Sequence, residues 1–275
     1  MVECQQAVIS HYHQEDLGAR VLAALGEVRG SLEDLTAEDL APLDGLHVRG
    51  RRATAELAAL AEVQFGERVL DIGAGLGGAA RHLGAAYACR VVGLDLTPSY
   101  VALAADLTAR VGLAEMARFL VGSATALPLG GGVFDLVWLE HVQMNIADKV
   151  RLVQEIARVL RPGGRLALYE VCSAGAAQPR FPVPWADTAA TSFLLSTEGL
   201  RGLLVDNGLG VTRWRDVTEG ACRWFRNRRG AGAAPPSPLG PHLLMGAGAG
   251  AKIANLGRSL EEGRVCLVQV VAERG

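Results

Sequence analysis

Cysteine is sparse and unpaired in pattern. Cys4, Cys89, Cys172, Cys222 and Cys266 are an odd number of thiols with no C-x-x-C pair. That spacing argues against a disulfide framework and a structural metal, and predicts a reduced, cytoplasmic chain. Excess charge of one sign is missing too. The formal net charge is −2, which leaves no electrostatic footprint for nucleic acid. No apolar run reaches the ~18 residues that a membrane-spanning helix needs. The opening Met1-Val-Glu-Cys-Gln-Gln has neither a basic nor an apolar signal region, so no signal peptide is expected. Internal repeats are absent. His11-x-His13 has no third ligand nearby, so no metal site is expected.

What is present is apolar residue and glycine. Half of the 275 residues are hydrophobic and 34 are glycine. That suffices for one catalytic domain with an added cap, built on a parallel sheet buried on both faces. The most informative stretch is Val69-Leu-Asp-Ile-Gly-Ala-Gly-Leu-Gly-Gly78. A short apolar run ends in an acid, a glycine turn follows, and a helix starts. Glycines there take backbone angles closed to other residues and let a ligand approach the main chain. The helix N-terminus adds free N–H groups and a partial positive charge. Gly73-x-Gly75-x-x-Gly78 also reads as a dinucleotide fingerprint, so an NAD-linked oxidoreductase stays open at this point. Asp71 suits a ligand carrying a cationic amine and would repel a pyrophosphate. Asp95 closes the next apolar run, where an acid accepts hydrogen bonds from ribose hydroxyls.

Periodicity predicts helices over Asp16–Val28 and Ala53–Val63, with a loop at Leu40–Val48 between them. Strands at Arg68–Ile72, Arg90–Asp95, Ala117–Val121, Phe134–Leu139 and Arg165–Val171 then alternate with helices. These helices are expected over about Gly77–Tyr87, from Thr97-Pro98 to Val111, and over about Ala147–Leu160. Pro162-Gly163-Gly164 reads as the turn before the last of those strands. Such alternation marks a parallel sheet with right-handed crossovers. Beyond it come a loop at Ser173–Asp187, a helix at Thr197–Asn207 and a strand at Val211–Val217. A helix at Glu219–Arg229, a Pro/Gly loop at Ala231–Gly240, a helix at Ala251–Glu262 and a closing strand at Arg264–Ala272 complete the chain.

Four pieces in order, Asp71-Ile-Gly-Ala-Gly-Leu-Gly77, Asp95, Phe134-Asp-Leu-Val-Trp138 and Leu160-Arg-Pro-Gly-Gly164, carry a resemblance. Over about Phe65–Val171 the chain resembles the class I S-adenosylmethionine-dependent methyltransferases. It is most similar to their small-molecule group, the sarcosine and dimethylglycine N-methyltransferases and the quinone- and sterol-type C-methyltransferases. The resemblance implies a Rossmann-like α/β fold. Its seven-stranded sheet is mostly parallel with an antiparallel last strand, helices cover both faces, and an N-terminal helical cap precedes it. The implied division is a cap over 1–60 and a cofactor-binding domain over 61–275, with lid insertions at about 173–195 and 219–262. The implied cofactor is S-adenosyl-L-methionine, leaving as S-adenosyl-L-homocysteine, without metal. The acceptor is a small molecule, with an amine nitrogen first and a quinone, phenol or polyketide-like ring next. A non-catalytic ligand-binding relative is the remaining rival. Monomer and homodimer both stay open.

On that resemblance Asp71 sits near the amine of the cofactor. Gly73, Ala74, Gly75 and Gly77 line its path, Asp95 takes the ribose, and Leu96 flanks the adenine. Ser123 and Ala124 follow the third strand, where the family commonly carries an acid. Glu140, a further cofactor contact, and His141 end the fourth strand, and His141 is the candidate base because imidazole titrates near neutral pH. Met144 and Asn145 follow, with asparagine where many relatives have histidine. Tyr12, His13 and His47 in the cap, and Trp185 after the Pro-rich loop, are candidate substrate contacts. Arg49, Arg51 and Arg52, and Arg223, Arg226, Arg228 and Arg229, read as solvated helix faces.

Overall fold

The computed structural model describes residues 2–45, 47–230, 238–240 and 242–275. Four helices precede the sheet: α1 (Val2–Tyr12), α2 (Leu17–Arg29), α3 (Ala41–Asp44) and α4 (Arg51–Leu60). The alternating core follows as β1 (Arg68–Ile72), α5 (Gly78–Tyr87), β2 (Arg90–Asp95), α6 (Pro98–Arg110) and β3 (Ala117–Val121). It continues as β4 (Phe134–Glu140), α7 (Lys149–Val159), β5 (Leu160–Ser173), α8 (Thr197–Asp206) and β6 (Leu209–Asp216). Helices α9 (Thr218–Gly230), α10 (His242–Met245) and α11 (Ala249–Glu261) lead to the closing β7 (Val265–Arg274). Most of the expected Pro/Gly loop at 231–240 lies outside the described residues.

The seven strands run in the order β3-β2-β1-β4-β5-β7-β6, and β7 is antiparallel to both of its neighbours. The expected sheet therefore forms, with its last strand reversed. Strand composition follows from burial. In β1 every residue after Arg68 is buried, because helices cover both faces. In β4, Leu136 and Trp138 join one apolar layer while Val137 and Leu139 join the other, the period of two that a pleat imposes. One layer packs Leu57 of α4, Leu83 of α5 and Leu256 of α11 on the sheet; the other packs Leu152 of α7 and Leu204 of α8 on the opposite face.

The cap has a core of its own. Leu17, Val21 and Leu25 of α2 pack with Tyr100, Leu103 and Leu107 of α6 and with Leu243 and Leu244 of α10. Helix α1 was not among the helices expected from periodicity. Its side chains bond to distant partners instead: Gln5 to Ser123, His11 to Pro184 and Tyr12 to Asn145. The expected loop at Leu40–Val48 contains the short α3, which Pro42 opens near its first turn. Pro162-Gly163-Gly164 is a bulge within β5 rather than a turn before it. Leu160 already pairs with Phe134, and pairing resumes at Arg165 with Leu136. Helix α7 starts at Lys149, two residues later than expected, because Asp148 supplies the cap by accepting from the Arg151 amide. Thr97 does hold the cap position of α6, but its side chain makes no cap bond.

The chain leaves β1 toward β2 and β3 on one side, then returns to place β4 on the other. That reversal opens a crevice beyond the carboxyl ends of β1 and β4, where ligands bind in open α/β sheets. Asp71, Asp95 and Glu140 all stand at or next to those ends.

Candidate active site

A cavity of about 330 Å³ fills this crevice. Of the expected cofactor residues, Asp71, Gly73, Ala74, Gly75, Asp95, Leu96, Ser123, Ala124 and Glu140 line it, as does His141. Tyr12, His47, Met144, Asn145 and Trp185 line it as well. Two residues stand elsewhere. Gly77 caps α5 at a φ of 81° and faces Phe119 and Arg81 rather than the cavity. His13 belongs to a shallow groove beside Leu17, Leu22 and Leu103, because the chain turns at the end of α1 and carries it away.

The β1–α5 turn is built by its glycines. Gly73 has a φ of 72° and Gly75 of 55°, in the region that favours glycine. The Gly73 and Ala74 amides both donate to the Leu94 carbonyl, at 2.7 and 3.0 Å. A Cβ at Gly73 would intrude on the Val142 side chain, so the turn closes tightly on the end of β4. Asp95 braces the turn from β2. Its Oδ2 accepts from the Gly75 amide and its Oδ1 from the Thr97 amide, each at 2.9 Å. Burial pushes the Asp95 carboxyl above its ordinary range, and these amide bonds pull the other way.

Asp71 is buried and its Oδ2 has no hydrogen-bond partner among the described residues. Burial raises its carboxyl well above the ordinary range, and the nearby Glu140 and Asp95 carboxylates add to the rise. Glu140 accepts from the Thr54 hydroxyl at 3.0 Å through Oε2, while its Oε1 has no hydrogen bond. Three acids thus face one cavity with acceptor capacity still open. That set fits a ligand that brings hydroxyls and a cationic amine, and it opposes a pyrophosphate.

His141 sits just past β4 at a φ of 57°, unusual for a non-glycine residue. Neighbours on β5 hold it there. The His141 amide donates to the Tyr169 carbonyl at 2.8 Å, and His141 Nδ1 lies 3.1 Å from the same oxygen. A carbonyl only accepts, so Nδ1 carries the proton. Nε2 then accepts from the Val48 amide at 3.4 Å. Both ring nitrogens are therefore engaged. Burial, with the neighbouring His47, pushes the imidazole down to about 3, so the ring stays neutral.

Glu170, which braces the cavity's β4 wall without lining it, is a residue that sequence reasoning passed over. The signal was an acid inside the apolar run Leu166–Val171. Its Oε1 accepts from the Val142 and Gln143 amides at 2.9 and 3.0 Å and so fixes the turn after β4. Burial pushes its carboxyl up to about 7 from an ordinary 4.5, against the pull of those amides and of Lys149. Between these values the unfolded chain releases the proton that the folded protein keeps, so stability falls as pH rises through that window. Urea unfolding at pH 4.5 and pH 8 is expected to show wild type losing stability relative to Glu170→Gln on going to the higher pH. A constant difference between the two proteins would contradict this.

The cap closes the cavity through polar side chains. Tyr12 donates to Asn145 Oδ1 at 2.9 Å, and Asn145 Nδ2 donates to the Trp185 carbonyl at 2.8 Å. His11 Nε2 donates to the Pro184 carbonyl at 3.0 Å. Gln5 donates to Ser123 Oγ at 2.8 Å. Trp185 is fully buried, with its indole N–H on Ser192. The arginine clusters turn to other partners. Arg49 and Arg52 pair with Glu56, Arg51 with Glu38, Arg223 and Arg226 with Glu219, and Arg229 with Glu261, while Arg228 lies over Trp224. Among the described residues no group of three His, Cys, Asp or Glu side chains could hold a metal ion. No described helix is long and apolar enough to cross a membrane.

Comparison with known proteins meets this geometry. The methyltransferase-domain family matches residues 70–168. The tocopherol O-methyltransferase of Arabidopsis thaliana is 38% identical over 106 residues, covering 38% of this chain and 30% of that protein. The glycine/sarcosine/dimethylglycine N-methyltransferase of Actinopolyspora halophila is 28% identical over 178 residues, 65% of this chain and 32% of its own. The chain thus spans about a third of the length of these curated relatives. In fold it is similar to the geranyl diphosphate C-methyltransferase of Streptomyces coelicolor A3(2), at a TM-score of 0.71 and 19% identity. That match covers 99% of this chain and 98% of that one. Residues 70–168 thus carry a methyltransferase domain, and the whole chain shares its fold with a solved C-methyltransferase complex. The similar sequences include an O- and an N-methyltransferase, and the similar fold is that of a C-methyltransferase, so similarity leaves the acceptor atom open.

Proposed function

We propose that this protein binds S-adenosyl-L-methionine in the crevice between β1 and β4 and transfers its methyl group to a small-molecule acceptor, releasing S-adenosyl-L-homocysteine. The observation that carries the reading is the convergence of Asp71, Asp95 and Glu140 on one cavity beside the Gly73–Gly75 turn. Asp95 would hold the ribose hydroxyls, and Asp71 the amine of the amino-acid end. Leu96, Ser123 and Ala124 would flank the adenine. S-adenosylmethionine supplies a methyl group already activated by its sulfonium, so the protein has to align the acceptor and exclude water. The Tyr12–Asn145–Trp185 chain of hydrogen bonds supports that closure, with residues 1–60 and the segments near 173–195 and 219–262 acting as cap and lid. His141, with both nitrogens engaged, would position Val48 and the β4 end. We place the enzyme in the cytoplasm, as a monomer or homodimer without nucleic-acid partners.

Sequence reading puts an amine nitrogen first as the acceptor. Met144, Pro184, Leu244, Met245 and Leu256 also line the cavity, which favours an acceptor with an apolar body, including a phenol- or quinol-type ring. Incubation with methyl-labelled S-adenosylmethionine and a panel of amines and phenols, read by mass spectrometry, tests the activity. Label on an acceptor is the expected result. Tight binding with no transfer to any acceptor would favour a non-catalytic ligand-binding protein.

A further inference from the structure

Two imidazoles line the cavity, 5.9 Å apart between ring centroids, and their partners differ. His141 has no lone pair to offer, because Nδ1 donates to Tyr169 and Nε2 accepts from Val48. His47 is the reverse case. Its Nε2 lies 3.0 Å from the Gly50 carbonyl, which can only accept, so Nε2 carries the proton. The same Nε2 is 3.1 Å from the Thr54 hydroxyl and 3.5 Å from Glu140 Oε1. Thr54 in turn donates to Glu140 Oε2 at 3.0 Å. Its Nδ1, with a bare lone pair, has no hydrogen-bond partner among the described residues. Tyr169 packs edge-on against the ring at 5.8 Å and orients it. One nitrogen is held by a carbonyl and a hydroxyl, with a carboxylate 3.5 Å away, while the other has no hydrogen-bond partner among the described residues on a ring that lines the cavity. That is the arrangement of an oriented general base.

We infer that His47 Nδ1 removes a proton from the acceptor, and that the acceptor is therefore a hydroxyl group carried on an apolar body. This rests on the methyltransferase reading of the same cavity. An amine can shed its ammonium proton to water before it binds and then attacks through a free lone pair, whereas a hydroxyl becomes a strong nucleophile only as its proton leaves in the site. The proton passes from the acceptor oxygen to His47 Nδ1. The oxygen electron pair forms the bond to the methyl carbon, the carbon–sulfur bond breaks, and its pair stays on sulfur in S-adenosylhomocysteine. The imidazolium is stabilised by Glu140 and returns its proton to solvent. Glu140 and Thr54 act through the ring and are positioning residues.

The test has two arms on the full chain. In the first, nitrogen-15 histidine spectra of the protein saturated with S-adenosylhomocysteine report the tautomers, with assignments from His47→Gln and His141→Gln. His47 is expected as the Nε2–H form with a bare Nδ1, and His141 as the Nδ1–H form. In the second, labelled methyl transfer to 2-naphthol and to benzylamine is compared. His47→Gln is expected to lose roughly a hundredfold in rate on 2-naphthol, the scale of general-base catalysis, with S-adenosylhomocysteine affinity retained. A proton on His47 Nδ1, undiminished transfer in His47→Gln, or a wild-type preference for benzylamine would overturn the inference. Failure of the wild-type chain to bind S-adenosylhomocysteine would instead sink the methyltransferase reading itself.

Discussion

Replacing Arg81 with methionine is expected to cost about 3–5 kcal/mol of folding free energy, the usual result of leaving one member of a buried ion pair alone. Arg81 and Asp44 have side chains only 1% and 3% exposed. The guanidinium of Arg81 on α5 donates to the Asp44 carboxylate on α3, to the Leu76 carbonyl at 2.7 Å and to the Thr108 hydroxyl at 3.0 Å. It therefore ties the cap, the glycine turn and α6 at one point. Gly78 belongs to the same joint, since a Cβ there would strike the Asp44 backbone. Burial raises the Asp44 carboxyl and Arg81 opposes that rise. Without Arg81 the acid rises further. The stability loss in urea should thus be greater at pH 7 than near pH 4, where the unfolded chain also keeps part of the proton on Asp44. The double replacement Arg81→Met with Asp44→Leu should recover much of the loss, because an apolar pair leaves no buried charge unmatched. A loss under about 1 kcal/mol for the single change, the scale of an exposed pair, would contradict the account.

Asp95→Ala is expected to weaken S-adenosylhomocysteine binding by about 1–3 kcal/mol, as removal of a buried charged hydrogen-bonding partner does. Two losses combine. The ribose hydroxyls lose their proposed acceptor, and the Gly75 and Thr97 amides lose the carboxylate that holds the turn in shape. Calorimetric titration separates them from global unfolding, provided the variant keeps its melting cooperativity. Unchanged affinity would remove the ribose assignment.

The central strands β1 and β4 were readable because both faces of the sheet are covered there, so each is a short apolar run. The glycine turn was readable because Gly73 and Gly75 stand where other side chains are strained, with Asp71 before them and Asp95 beyond. The cap was far less so. Gln5 reaches Ser123 and His11 reaches Pro184 across 118 and 173 residues, and no local pattern encodes such pairings. The two histidines make the same point. Imidazole chemistry singled out His141 at the end of β4, but its availability depends on Tyr169 and Val48, which only the fold brings to it. His13 falls outside the cavity because the chain turns after α1, and Gly77 because it faces Phe119. Glu170 was hidden by its apolar neighbours, and its role appears only once the β4 turn lies across it.

Calorimetric titration of the full chain with S-adenosylhomocysteine and, separately, with NADH tests the central claim most directly. Three carboxylates facing one cavity predict saturable binding of S-adenosylhomocysteine, weakened by Asp95→Ala, and no heat from NADH. Binding of NADH without binding of S-adenosylhomocysteine would contradict it.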